Sequence, residues 1–220
     1  MISKELLDKI RNSHKYLQDN LKPLFNEMIE GIDVSIQYDA EAGFIICERD
    51  LEFIPFGHCM GTICDIDLSE DCKEGDRVGT YHSHGKGFTK PSIGDFYASL
   101  KHSDKILCVG AYKDVTIEVN SEKIKVPAYH ITCITFNQKH RKYREAYDKI
   151  LKTSEEFSKL EDVLGRMVYI EKKVPPKELM GLMSKLYEEF GKLIDSYIDE
   201  GVINGFTSIK IDWTELLKRL

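Results

Sequence analysis

Residues 79–96 read GTYHSHGKGFTKPSIGDF. The stretch opens in β-favouring residues, passes through Gly85, Gly87 and Pro91, and closes on the helical spacing of IGDFYASLKHS. It therefore reads as strand, loop, helix. On a strand, residues two apart share a face, so TYHSH presents His82 and His84 together and turns Tyr81 and Ser83 the other way. Ser92 and Asp95 fall at the start of the helix.

Outward from this stretch, VSIQYD, GFIIC, LEFIPF, GTICDIDL and RVGTYHSH are short runs rich in β-branched and aromatic residues. They predict five strands. Downstream, ILCVGAY predicts another strand and TIEVNSEKIKVPAYHITCITF a hairpin, so an α/β (α+β) core ends near Phe136. Before the strands, the apolar spacing from residue 3 to residue 30 predicts helix in two pieces that meet before Pro23, the second ended by Gly31. After the core, two helical stripes, Tyr143–Val168 and Leu179–Tyr197, are separated by Val174-Pro175-Pro176 and predict an antiparallel helical hairpin. Asp212-Trp213-Thr214-Glu215 has the form of an N-cap for a short terminal helix. The expected organisation is a catalytic domain over residues 1–137 and a C-terminal helical extension over 138–220.

The 220 residues carry a net charge of −6 and gather no basic face interleaved with aromatics, which argues against nucleic acid as a partner. No apolar run is long enough to span a bilayer, and MISKELLDKIRNSHKYL lacks a signal-peptide core, so a cytoplasmic protein without a membrane partner is expected. Six cysteines form no CxxC pair. They are read mostly as reduced, small strand residues, with a Cys64–Cys72 bond as the alternative.

A zinc ion used for hydrolysis takes three protein ligands and leaves a fourth position to water, whose pKa falls to about 7. His82, His84 and Asp95 supply two imidazoles and a carboxylate. Ser92 is placed to stabilise an oxyanion. A histidine on a strand is usually a packed or surface residue, and HSH alone says little. The full spacing H-x-H-x7-S-x-x-D arises by chance in about one such chain in a thousand, which favours a built site.

HSHGKGFTKPSIGD resembles the signature of the JAMM (MPN+) zinc metalloproteases, in the compact prokaryotic form. Pro91 before the serine fits that pattern, whereas Gly85 stands where many members have proline. The resemblance spans about Val34 to Phe136. It implies a cytidine-deaminase-like MPN core, a mixed sheet flanked by helices. It also implies Zn2+ held by His82, His84 and Asp95, with Ser92 assisting the oxyanion and an upstream glutamate as general base. AEAGFIICERD offers Glu41, before the apolar run, and Glu48, after it. Seven residues apart on one strand, the two point to opposite faces. Glu41 matches the family arrangement better, and Glu48 is then a solvated charge at a strand end. The implied activity is hydrolysis of the peptide or isopeptide bond after the C-terminal glycine of a ubiquitin-like or sulfur-carrier protein. The alternatives are a non-catalytic MPN scaffold and a zinc hydrolase of another substrate class. The C-terminal helices offer a surface for homo-oligomer formation. His58, Cys59 and Cys64 match no standard metal spacing, and His102 and His130 are read as structural.

Overall fold

A computed structural model describes residues 3–61, 72–73, 75–212, 214 and 217–218. The fold is mixed α/β. A six-stranded sheet runs in the order β2-β1-β3-β4-β5-β6, with β1 over Glu41–Arg49, β2 over Glu52–Gly61, β3 over Asp76–Ser83, β4 over Ile106–Val119, β5 over Glu122–Phe136 and β6 over Ile203–Ile211. The β3–β4 pair is parallel, whereas β1–β2, β1–β3 and β4–β5 are antiparallel. The chain divides into two compact units, residues 1–91, 104–135 and 205–220 in the first, residues 92–103 and 136–204 in the second.

In the first unit, helices α1 (Lys4–Arg11), α2 (His14–Leu21) and α3 (Phe25–Tyr38) precede the sheet. Ser13 caps α2 by accepting the Tyr16 N–H. Leu17, Leu21, Met28 and Ile32 from α2 and α3 pack with Phe44, Ile46, Val78, Tyr81, Ile106, Ile131 and the Cys108–Cys133 pair in one buried cluster. This burial fixes which sheet face is which. Ile45 and Cys47, alternating with Phe44 and Ile46, lie in a separate cluster with Ile54, Phe56, Cys59 and Cys72. Strand β1 therefore shows one face to α2 and α3 and the other away from them.

Three expectations are corrected here. VSIQYD is not a strand: Val34–Tyr38 belong to α3, which runs on through Gly31. The glycine does not break the helix because it serves a close approach; a Cβ there would come within 3.1 Å of the Tyr81 ring. Ile36 and Tyr38 pay no packing penalty for helix, since both are exposed, and Asp39 closes the element in a left-handed conformation. The cysteines are not mostly reduced. Cys47 bonds Cys72, Cys108 bonds Cys133, and Cys59 is also disulfide-bonded, so Cys72 is not Cys64's partner. Cys108 and Cys133 are register partners on adjacent strands, 4.1 Å apart at Cα, a pairing that only the strand order creates. ILCVGAY does not end at Tyr112 but continues to Val119, and Asn120 and Ser121, both with positive φ, turn the chain into β5. The strand GTICDIDL lies outside the described residues apart from Gly61.

In the second unit, α4 (Ile93–Lys101) is joined by α5 (Tyr143–Gly165), a π-helical turn (Arg166–Ile170) and α6 (Lys177–Asp199). The last two helices form the expected antiparallel hairpin. Lys142, just before α5, pairs with Glu200, just after α6, at 2.7 Å, and Phe157 meets Tyr187 edge-on midway along. Phe96 of α4 packs edge-on against Phe136 and Phe190. Strand β6 was not predicted from the sequence. The terminal helix expected after Asp212 lies largely outside the described residues, although Asp212 Oδ1 does accept the Thr214 N–H at 2.9 Å.

Candidate metal centre

The two histidines lie where β3 ends. Val78–Tyr81 are buried, and Tyr81 donates its hydroxyl proton to the Met28 carbonyl of α3. Tyr81 and Ser83 thus face α3, Ser83 meeting Ser35, and alternation turns His82 and His84 to the opposite face, as the sequence predicted. Their rings converge. His82 Nε2 and His84 Nε2 are 2.8 Å apart, with ring centroids separated by 4.6 Å.

His84 is held from two sides. Its backbone N–H donates to the Gly110 carbonyl of β4 at 2.6 Å, and its Nδ1 lies 2.9 Å from the Phe88 carbonyl. A carbonyl only accepts, so Nδ1 carries the proton and a neutral ring leaves Nε2 as a lone pair. That nitrogen points at the corresponding nitrogen of His82. Two imidazole nitrogens converging in this way form a donor set suited to one cation. Orientation of a histidine ligand through a carbonyl on its other nitrogen is the usual support for a metal.

The loop that follows brings the carbonyl of Phe88 back to His84. Gly87 N–H donates to the Tyr112 carbonyl at 2.9 Å, and φ of +92° at Gly87 lets the chain turn there. The Phe88 side chain is exposed. Ser92 then caps α4. Its Oγ accepts the Asp95 N–H at 3.1 Å, and Asp95 Oδ2 accepts the Ser92 N–H at 2.5 Å, a reciprocal capping box. The acceptor bond uses a lone pair of Ser92 Oγ and leaves its own proton to be donated. His82, His84 and Asp95 form a group that can hold a metal ion, one ligand atom from each lying within 4.8 Å of the others.

The glutamates occupy opposite ends and faces of β1. Glu41 opens the strand, opposite Gly61, and lies two residues before Gly43, whose register partner is His82. It shares the face of Gly43 and His82. Gly43 is required to be small, since a Cβ would come within 2.4 Å of the Tyr81 carbonyl oxygen and 2.8 Å of His82 Cβ. Glu48 is on the α2 side, buried, its Oε1 2.7 Å from Arg11 Nε and 3.2 Å from the Tyr16 hydroxyl. Burial, reinforced by the Glu48 charge, raises the Tyr16 pKa to about 12, so its phenol stays a donor. Glu48 is thus a buried structural acid and not the solvated charge expected.

The sequence turned Ser83 away from the histidines without giving it a partner, and it gave no role to Gly43 or to the Phe88 carbonyl. Only Gly43 carried a local signal, a glycine inside an apolar run. His58 Nε2 pairs with Glu27 at 2.8 Å, and the buried His130 lies in β5.

The class these residues define is a mixed α/β protein with a His-x-His and aspartate group competent for a metal ion. In comparisons with protein-family models, with curated proteins and with solved structures, the chain matches none. No helix among the described residues is long and apolar enough to cross a membrane.

Proposed function

We propose that this chain is a zinc-dependent amide hydrolase of the JAMM (MPN+) type, acting on the bond after the C-terminal glycine of a ubiquitin-like or sulfur-carrier protein. One observation carries the proposal: His82 and His84 aim their Nε2 atoms at each other across 2.8 Å, with Asp95 in the same group. His82, His84 and Asp95 would hold the ion, which when bound supplies Lewis acidity that activates water and polarises a carbonyl. Glu41 takes a proton from the attacking water as it adds to the carbonyl carbon, then passes that proton to the amine as the C–N bond breaks. Ser92 donates a hydrogen bond from its hydroxyl to the oxyanion. No covalent acyl-enzyme forms.

Disulfide-bonded cysteines on four strands, β1, β2, β4 and β5, favour an oxidising compartment or a hyperthermophile's cell interior over an ordinary cytoplasm. The acidic net charge favours a protein substrate over nucleic acid. The test is cleavage of ubiquitin or a small sulfur-carrier protein bearing a C-terminal coumarin amide. Release of coumarin that a zinc chelator abolishes and added Zn2+ restores is expected. An intact amide in the presence of bound zinc moves the assignment to a zinc hydrolase of another substrate class.

A further inference from the structure

Where β1 and β3 approach the metal group, their backbone register ends at Gly43 and His82, and a side chain takes over. Ser83 Oγ accepts the Ala42 N–H at 2.8 Å and donates to the Ala42 carbonyl at 3.1 Å. It also meets Ser35 Oγ of α3, which reaches the Gly31 carbonyl of its own helix at 3.2 Å. Ser83 is fully buried, and Ala42 is 9 % exposed. One hydroxyl thus satisfies both backbone groups of the residue beside Glu41, in a place where neither has water to turn to. His84 is held independently of it, through Gly110 and Phe88.

We propose that Ser83 is a positioning residue for Glu41, fixing the start of β1 against β3 so that the general base stands at a set distance from the metal group. The proposal rests on the hydrolase reading given above. Loss of the Ser83 hydroxyl releases the Ala42 end of β1 from β3, leaves it to its pairing with β2 and lets Glu41 shift, while His84 keeps its contacts to Gly110 and Phe88. A displacement of about 1 Å at a reacting group costs about 100-fold in rate.

The experiment compares Ser83→Ala, Ser83→Thr and Ser35→Ala with the wild type, using zinc affinity by chelator competition and turnover of ubiquitin coumarin amide. In Ser83→Ala, kcat is expected to fall about 100-fold with KM and zinc affinity unchanged. Ser83→Thr, which keeps the hydroxyl, restores most of the loss, and Ser35→Ala, which leaves both Ala42 bonds, has little effect. A Ser83→Ala protein that keeps wild-type kcat, or that loses zinc in step with activity, overturns the proposal. If Ser83→Ala does not fold, amide exchange in the wild type decides. Protection of the Ala42 N–H equal to that of Ile46 upholds the Ser83 bond, and free exchange overturns it. A wild type that takes up no zinc removes the underlying reading and the proposal with it, whereas an active, zinc-loaded wild type with an indifferent Ser83→Ala removes the proposal alone.

Discussion

At the start of β1, Glu41 stands on the face of Gly43 and His82; at its far end, Glu48 is buried on the α2 side against Arg11 and Tyr16. The two residues are chemically identical and lie on one strand. An odd separation puts them on opposite faces, and what they meet there decides their use. Glu48 is given a cation and a phenol, so its charge is compensated and committed to the core. Glu41 lies on the face of Gly43 and His82, beside Ala42, whose N–H and carbonyl the Ser83 hydroxyl meets. A catalytic acid or base has to exchange protons with substrate and water, which a carboxylate committed to the core as Glu48 is does not do.

Exchanging each acid for its amide breaks the comparison most directly. Glu41→Gln is expected to lower kcat by about 10²- to 10⁴-fold in the coumarin assay with the melting temperature unchanged. If Glu48→Gln causes that loss and Glu41→Gln does not, the two ends have been assigned the wrong way round. The next effect is on stability. Cys108 and Cys133, 25 residues apart, close a loop, and replacing both by serine should cost about 3 kcal/mol in denaturant unfolding. Unchanged stability under these conditions, or free thiols on both in the untreated protein, would mean that the bond does not form. Glu48→Gln should cost about 2 kcal/mol, because Arg11 loses its counter-charge while Tyr16 keeps an acceptor. Its kcat should stay at the wild-type level.

The smallest effect concerns pH. His14 Nδ1 lies 2.8 Å from Thr135 Oγ1, and burial lowers the His14 pKa below 6.5. The unfolded chain therefore binds this proton first as pH falls. Its contribution is complete above about pH 6.5 and is lost as pH drops towards the folded-state pKa. Thermal melts at pH 7.5 and pH 5 should show a smaller difference in His14→Gln than in the wild type, and an unchanged difference would remove His14 from the pH response.

How much of this was legible in the sequence depends on the range of the interaction. The histidine pair follows from a two-residue period on one strand, and the Ser92–Asp95 cap from a three-residue spacing at a helix start, so both are local. The hairpin of α5 and α6 is local as well, since each stripe repeats along its own helix and prolines separate them. The end of α3 is different. Val34, Ile36 and Tyr38 favour strand by type, and the helix prevails because it is continued from a buried stripe at Met28 and Ile32, on which Tyr81 closes. The disulfides depend on which strands are neighbours, which no spacing along the chain encodes. Strand β6 was missed because Gly205 and its exposed alternate residues gave INGFTSIKI little apolar character. The Phe88 carbonyl that orients His84 belongs to the backbone, so no side-chain pattern announces it.

The central claim is that His82, His84 and Asp95 hold one zinc ion. It is tested most directly by elemental analysis of the purified protein and of His84→Ala, both dialysed against the same zinc-containing buffer and then desalted. The account predicts about one equivalent of zinc in the wild type and almost none in the variant, since removing one of three ligands leaves a weak pair. Zinc absent from the wild type, or equally present in both proteins, would contradict it.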